Sequence, residues 1–127
     1  VSVYNCGHTN VFAYLKDDAG KGRVATLAPT LPPFGMGAVA DAITGEKKGS
    51  YKMLVKPGLQ IDLYSDGFTD MQSDDGERYD EPRTKALFGE LFNTDVYSAE
   101  KEIEKTVTDW IGQALLPDGI TVMNVRF

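Results

Sequence analysis

Two aspartates, Asp66 and Asp118, each precede a glycine and lie 52 positions apart. Asp66 belongs to Tyr64-Ser65-Asp66-Gly67, which ends an apolar-rich segment; Asp118 belongs to Asp118-Gly119-Ile120-Thr121, which opens the last one. Both fall at corresponding ends of expected strands. Carboxylates held on a rigid sheet suit a hard divalent cation, because Mg²⁺ and Mn²⁺ prefer oxygen ligands and Mg²⁺ keeps several waters. A water of that kind can attack a phosphate ester. Each dipeptide also has a purely structural reading. Asp-Gly is a common hairpin turn, and glycine after a helix is a natural stop in the left-handed conformation.

The elements that must position these residues are legible in outline. Residues 1–4, 11–15 and 23–27 read as strands, separated by the turn-like stretches 5–10 and 17–22. Residues 29–37 are too rich in Pro and Gly for a helix or central strand, and 38–50 read as a surface loop or ragged edge. Residues 51–55 and 59–64 are expected to form an antiparallel hairpin about Lys56-Pro57-Gly58, with Leu59, Ile61 and Leu63 on one face. The acidic run 70–81 reads as a solvated loop. It is not an EF-hand, because Gly76 falls at position 7 from Asp70 where that loop needs glycine at position 6.

A helix is expected next, with Pro82 in its first turn and Leu87, Phe88, Leu91 and Phe92 on one face. The longest helix is expected from about Ser98, as N-cap, to about Leu116, where Pro117-Asp118-Gly119 stops it. Its stripe of Ile103, Val107, Trp110, Ile111, Ala114 and Leu115 reads as core, and residues 120–127 as the final strand. Strands, then two helices, then a strand make an α+β pattern with a mainly antiparallel sheet.

Composition bounds the class. The chain has 127 residues, 42% hydrophobic and 25% charged, which suits one globular domain. A net charge of -6 argues against nucleic-acid binding, which needs a basic face. The single cysteine, Cys6, excludes an intrachain disulfide and a cysteine-rich zinc site, and reads as an inert buried thiol. No apolar run reaches a membrane span and no signal peptide is visible, so a cytoplasmic location is expected. Val1 opens on a strand already under way, without an initiator methionine, so a fragment or processed piece is expected.

Several short motifs occur in a fixed order. They are Asn5-Cys6-Gly7-His8, Leu31-Pro32-Pro33-Phe34-Gly35, Lys56-Pro57-Gly58, the run Leu63-Tyr64-Ser65-Asp66-Gly67-Phe68-Thr69-Asp70, Asp74-Asp75-Gly76-Glu77 and Asp118-Gly119-Ile120-Thr121. This set resembles the C-terminal part of the metal-dependent protein serine/threonine phosphatases of the type 2C class, closest to the bacterial SpoIIE-like branch. The resemblance covers essentially the whole chain. It implies that residues 1–127 are the C-terminal portion of one domain, part of a four-layer αββα sandwich with two Mn²⁺ or Mg²⁺ ions at one end. Asp66 and Asp118 would be metal ligands, and a metal-activated water the only nucleophile. Gly67, His8 and Asp70 complete the candidate set around them. Asp70 would orient metal waters or lie at the surface, and His8 would make a structural hydrogen bond. The implied substrate is phosphoserine or phosphothreonine on a signalling protein, such as an anti-sigma-factor antagonist in partner switching.

Four departures stand against that pattern. The family's early half, with another Asp and a Gly-His-Gly motif, does not occur before Val1; Gly119 replaces a second Asp or Asn; Leu59 replaces an Asp; and Asp62 falls mid-strand. A buried unpaired carboxylate is costly, so Asp62 is expected to face water or a partner. The chain alone is expected to be inactive, and an uncovered apolar face to favour a homodimer or association with the missing half. A catalytically degenerate binding or regulatory module is the alternative.

Overall fold

Val11 to Lys16 alternates side chains between two apolar faces and is followed by Asp17, whose carboxylate turns the chain back. Its Oδ1 accepts from the amides of Ala19 at 3.0 Å and Lys21 at 2.9 Å. The result in this computed structural model, which describes residues 2–17, 19–30, 50–114 and 118–127, is an antiparallel hairpin. Strand β2 (Val11–Lys16) faces β3 (Gly22–Leu27) from the pair Val11 and Leu27 to the pair Lys16 and Gly22. The motif 31–35, the loop 38–49 and residues 115–117 lie outside the described residues.

The chain forms two compact units, one of Val1–Leu63 with Asn124–Phe127 and the other of Tyr64–Met123. In the first, β1 (Ser2–Tyr4) pairs antiparallel with β4 (Ser50–Lys52). A four-stranded sheet has the order β3-β2-β5-β6, where β5 is Gln60–Tyr64 and β6 is Val122–Arg126. β5 runs antiparallel to β2, with Phe12 opposite Asp62 and Tyr14 opposite Gln60. Val11, Ala13, Leu27, Leu59 and Ile61 form the aliphatic core, flanked by Val3, Leu15, Tyr51, Met53, Leu63 and Val125. The period-2 alternation puts Val11, Ala13 and Leu15 of β2 and Ile61 and Leu63 of β5 on one face of the four-stranded sheet.

The expected hairpin of 51–55 with 59–64 does not form. The turn is present, with the Leu59 amide donating to the Lys56 carbonyl at 3.0 Å. A strand has two edges, and β5 offers both to β2 and β6. β4 pairs instead with β1, which sets Tyr51 opposite Val3 against the same core.

The second unit is helical. α1 (Asp66–Asp70), α2 (Asp80–Glu90) and α3 (Val96–Ile111) surround an aromatic cluster. The Phe68 ring centroid lies 5.5 Å from Tyr79 and 5.7 Å from Phe88, and Tyr64 lies 5.8 Å from Phe88. Trp110 meets Tyr79 edge to face at 5.2 Å, and the Arg83 guanidinium sits 4.9 Å from the Trp110 ring centroid. These aromatic contacts add specific geometry to simple burial.

Three expectations are corrected in this unit. The Asp66-Gly67 turn is the start of α1. The N-cap of α3 is Asp95, whose carboxylate accepts from the Ser98 amide at 3.0 Å, so Ser98 lies inside the helix. The helix ends at Gly112 (φ 56°), ahead of Pro117-Asp118-Gly119, because a glycine reaches that backbone conformation without strain. Of the expected α3 stripe, Ile111 is buried, while Ile103, Val107 and Trp110 are half-buried.

Candidate metal centre

The two Asp-Gly turns meet. Ser65, the last residue before α1, donates its amide to the Thr121 carbonyl at 2.9 Å. Its hydroxyl accepts from the Thr121 amide at 2.9 Å and donates to the Gly119 carbonyl at 3.2 Å. One serine therefore ties the Asp66 turn to the Asp118 turn three times. Gly67 is the space this approach requires. A Cβ there would overlap the Gly119 carbonyl oxygen, lie 3.1 Å from its carbon and 3.5 Å from the Asp118 carbonyl oxygen. No such demand exists at Gly119, where a Cβ would meet nothing within 4 Å.

Packing fixes the Asp66 side of the pair. Phe68 is fully buried in the aromatic cluster and its amide donates to the Ser65 carbonyl at 3.0 Å; the Thr69 hydroxyl donates to the Asp66 carbonyl at 2.9 Å. The Asp66 carboxylate is exposed and has no hydrogen-bond or ion-pair partner among the described residues. Asp118 is also exposed, and its Oδ1 accepts from the Gly119 amide at 2.7 Å, folding the side chain over its own turn. Oxygen-only donors of this kind fit a hard divalent cation as part of its shell. Among the described residues no group of three or more His, Cys, Asp and Glu comes together in the manner of a complete metal cage.

The other expected residues lie elsewhere in the hydrogen-bond scheme. Asp70 forms an ion pair with Arg78. The acidic run is partnered rather than simply solvated. Its segment 71–79 doubles back, with the Tyr79 amide on the Met71 carbonyl and the Ser73 amide on the Glu77 carbonyl, each at 2.9 Å. Glu77 pairs with Arg83, and the Asp74 Oδ1 accepts from the Gln113 amide at 3.0 Å. His8 belongs to the first unit, where its Nδ1 shares a hydrogen bond with the Thr9 hydroxyl at 2.9 Å. The residue that organises its turn is Asn5, which is 2% exposed. Asn5 donates to the carbonyls of Thr9 at 2.8 Å and Leu27 at 3.0 Å, and accepts from the His8 amide at 3.1 Å. Cys6 is half-buried.

Asp62 does not face water. It is 1% exposed, and its carboxylate accepts from the Gln60 amide group at 2.9 Å and from the Asn124 amide group on β6. Asn124 in turn accepts from the Arg126 guanidinium at 2.7 Å. Burial pushes the Asp62 carboxyl above the usual carboxylate range, against the opposing pull of these amides and of Arg126. The desolvation of the mid-strand carboxylate is offset in part by Gln60, two residues away, and by Asn124 and Arg126 on β6.

The sequence profile described as Stage II sporulation protein E (SpoIIE) matches residues 1–127. The chain belongs to the SpoIIE family. The SiaA-PP2C domain of Pseudomonas aeruginosa shares its fold, with a TM-score of 0.73 at 18% sequence identity over 93% of this chain. This SpoIIE-family chain spans 43% of that solved chain. A search of curated protein sequences gives no match. Mixed helices and antiparallel sheets accord with a PP2C-type domain. No helix among the described residues is long and apolar enough to cross a membrane.

One residue that matters to the centre, Ser65, lies outside the expected set, whereas Gly67 belongs to it. Ser65 carries the tie between the turns, and its position before Asp-Gly was the available signal. Gly67 acts through its lack of a side chain rather than through its backbone freedom.

Proposed function

We propose that this chain supplies part of the catalytic centre of a metal-dependent phosphatase acting on phosphoserine or phosphothreonine in a bacterial signalling protein. One observation carries the reading. Two turns far apart in sequence are locked together by Ser65 and Gly67, and both present carboxylates to solvent. A structural turn has no need of a second carboxylate turn docked on it.

Asp66 and Asp118 would hold Mn²⁺ or Mg²⁺, two ions in a complete domain. When bound, such ions lower the pKa of water and neutralise phosphoryl oxygens. The chain's own part is positional. The aromatic cluster anchors α1, so Asp66 is presented from a rigid base, and the Gly119 amide holds the Asp118 side chain in one orientation. Family membership supports a phosphoprotein substrate, of which a sigma-factor partner-switching protein is the specific case, and a cytoplasmic setting. We propose further that residues 1–127 are the C-terminal portion of one phosphatase domain. The 43% coverage of the SiaA-PP2C chain supports a part of a longer domain, the order of the motifs supports its C-terminal part, and the remainder of the domain or a second copy would complete the centre.

The second reading is a degenerate module that binds a signalling partner without turnover. It is favoured by Gly119, where the related pattern has a second Asp or Asn, and by the two-carboxylate set. Mn²⁺-dependent hydrolysis of p-nitrophenyl phosphate separates the readings. The protein containing this chain with the rest of the domain should turn over, Asp66→Asn or Asp118→Asn should abolish turnover, and the chain alone should be inactive. A well-folded whole protein without metal-dependent turnover would establish the binding module.

A further inference from the structure

The first unit carries an open groove of about 500 Å³. β2 and β3 line part of it, with Ala13 opposite Ala25 and Leu15 opposite Arg23. Such cross-strand pairs share a sheet face, and two alanines facing each other leave space that longer side chains would fill. Met53 and Leu54 add apolar lining, while Arg23 and Lys56 supply positive charge. That charge is largely uncommitted. Among the described residues Arg23 is tied only through Nε, to Asp17 at 3.2 Å, and Lys56 has no ion-pair partner. Leu54 is the most exposed large apolar side chain among the described residues, at 81%.

The next most exposed is Tyr97, at 78%, beside the exposed Val96 in the first turn of α3. Carboxylates surround this pair. Residues 95–104 hold Asp95, Glu100, Glu102 and Glu104 against one lysine, Lys101, and all five are exposed. Glu100 and Glu104 follow Val96 at intervals of four, which puts them on one helix face. The units as wholes divide the same way. The first has eight Lys and Arg to five Asp and Glu, and the second has five to fourteen. An apolar groove lined by cations and an apolar helix start lined by carboxylates are complementary in both respects. We infer that the groove of one copy takes Val96 and Tyr97 of a second copy, with Arg23 and Lys56 against Glu100 and Glu104. Tyrosine suits the anchoring role, since it brings a large apolar ring with few rotatable bonds. The contact joins unlike surfaces and is therefore heterologous. It uses neither Asp66 nor Asp118, so it stands independently of the metal reading.

The test is sedimentation velocity of the whole protein over a range of concentrations, alongside thermal denaturation. The parent should self-associate, and added salt should weaken the association. A groove variant carries Arg23→Glu with Lys56→Glu, and a helix variant carries Glu100→Lys with Glu104→Lys. All four positions are exposed, so folding is not at stake. Like charges then face each other in either variant alone, which should weaken self-association by at least about tenfold. Mixing the two variants restores opposite charges at every contact, and the mixture should associate as the parent does. Tyr97→Ser, in the other unit, should also lose association and serves if the groove variant fails to fold. A monomeric parent, a folded Tyr97→Ser protein that associates unchanged, or a mixture that stays monomeric would each overturn the proposal. So would a groove variant that loses thermal stability at unchanged mass, because its groove would then be filled from within its own chain.

Discussion

The same two chain segments, β5 and β6 with their continuations, are fastened in two different ways. In the first unit the fastening is a buried side-chain network, Gln60 to Asp62 to Asn124 to Arg126. In the second it is close backbone approach, with Ser65 bonded to Gly119 and Thr121 and Gly67 left bare to admit the Gly119 carbonyl. The first device consumes its carboxylate, since both oxygens of Asp62 accept from amides. The second leaves Asp66 free of partners among the described residues. A carboxylate tied up in structure is unavailable to a cation, whereas glycine and serine can set a turn without using one.

The largest expected effect breaks the second device. Gly67→Ala places a methyl group against the Gly119 backbone, which has no flexible side chain to yield. Overpacking typically costs about 1–3 kcal/mol, and a backbone neighbour puts this case at the upper end. Denaturant unfolding should show that loss, and Mn²⁺ affinity should fall with it. Gly119→Ala is the matched control, since open space surrounds that position, and it should leave stability within about 0.5 kcal/mol, as at ordinary surface sites. Gly119→Asp sharpens the contrast. It fits the same open space and should raise Mn²⁺ affinity in a binding titration.

The first device carries a pH signature. The raised Asp62 carboxyl means that the folded chain holds a proton more tightly than the unfolded chain does. Its contribution to stability is fully present below the ordinary carboxylate range and is lost as pH rises through the raised value. Each unit of elevation corresponds to about 1.4 kcal/mol. Asp62→Asn should remove this slope from a plot of unfolding free energy against pH while leaving the Ser65 tie intact. A variant with the same slope as the parent would mean that the Asp62 network does not titrate.

The smallest expected effect lies at the start of α3. The Ser98 hydroxyl and amide hydrogen bonds hold the Asp95 carboxyl below its usual range. Its contribution is therefore present above the ordinary carboxylate range and is lost as pH falls through the lowered value. Asp95→Ala should lower the melting temperature slightly at neutral pH and leave Mn²⁺ affinity unchanged.

Much of the fold was legible because it is local. The Val11–Lys16 and Gly22–Leu27 hairpin follows from alternation and a turn, and the helix at Asp80–Glu90 from Pro82 and its apolar spacing. Misses arose where distant partners decide. β4 chose β1 because both edges of β5 were taken, and Asp62 could be buried because Asn124 lies across from it. The end of α3 falls at Gly112, whereas the more conspicuous stop in the sequence is the later Pro117-Asp118-Gly119. At the centre, Asp66 and Asp118 could be picked out as carboxylates at strand ends. That Ser65 and Gly67 would dock their turns could not, since a close approach depends on the space left by a missing side chain 52 positions from its neighbour.

The central claim is that the two docked turns form one cation site. Crystals of the whole protein grown with Mn²⁺ and measured at the manganese absorption edge test it most directly. The account predicts anomalous density within coordinating distance of the carboxylates of both Asp66 and Asp118. Ordered carboxylates with no anomalous density between them, at saturating Mn²⁺, would contradict it.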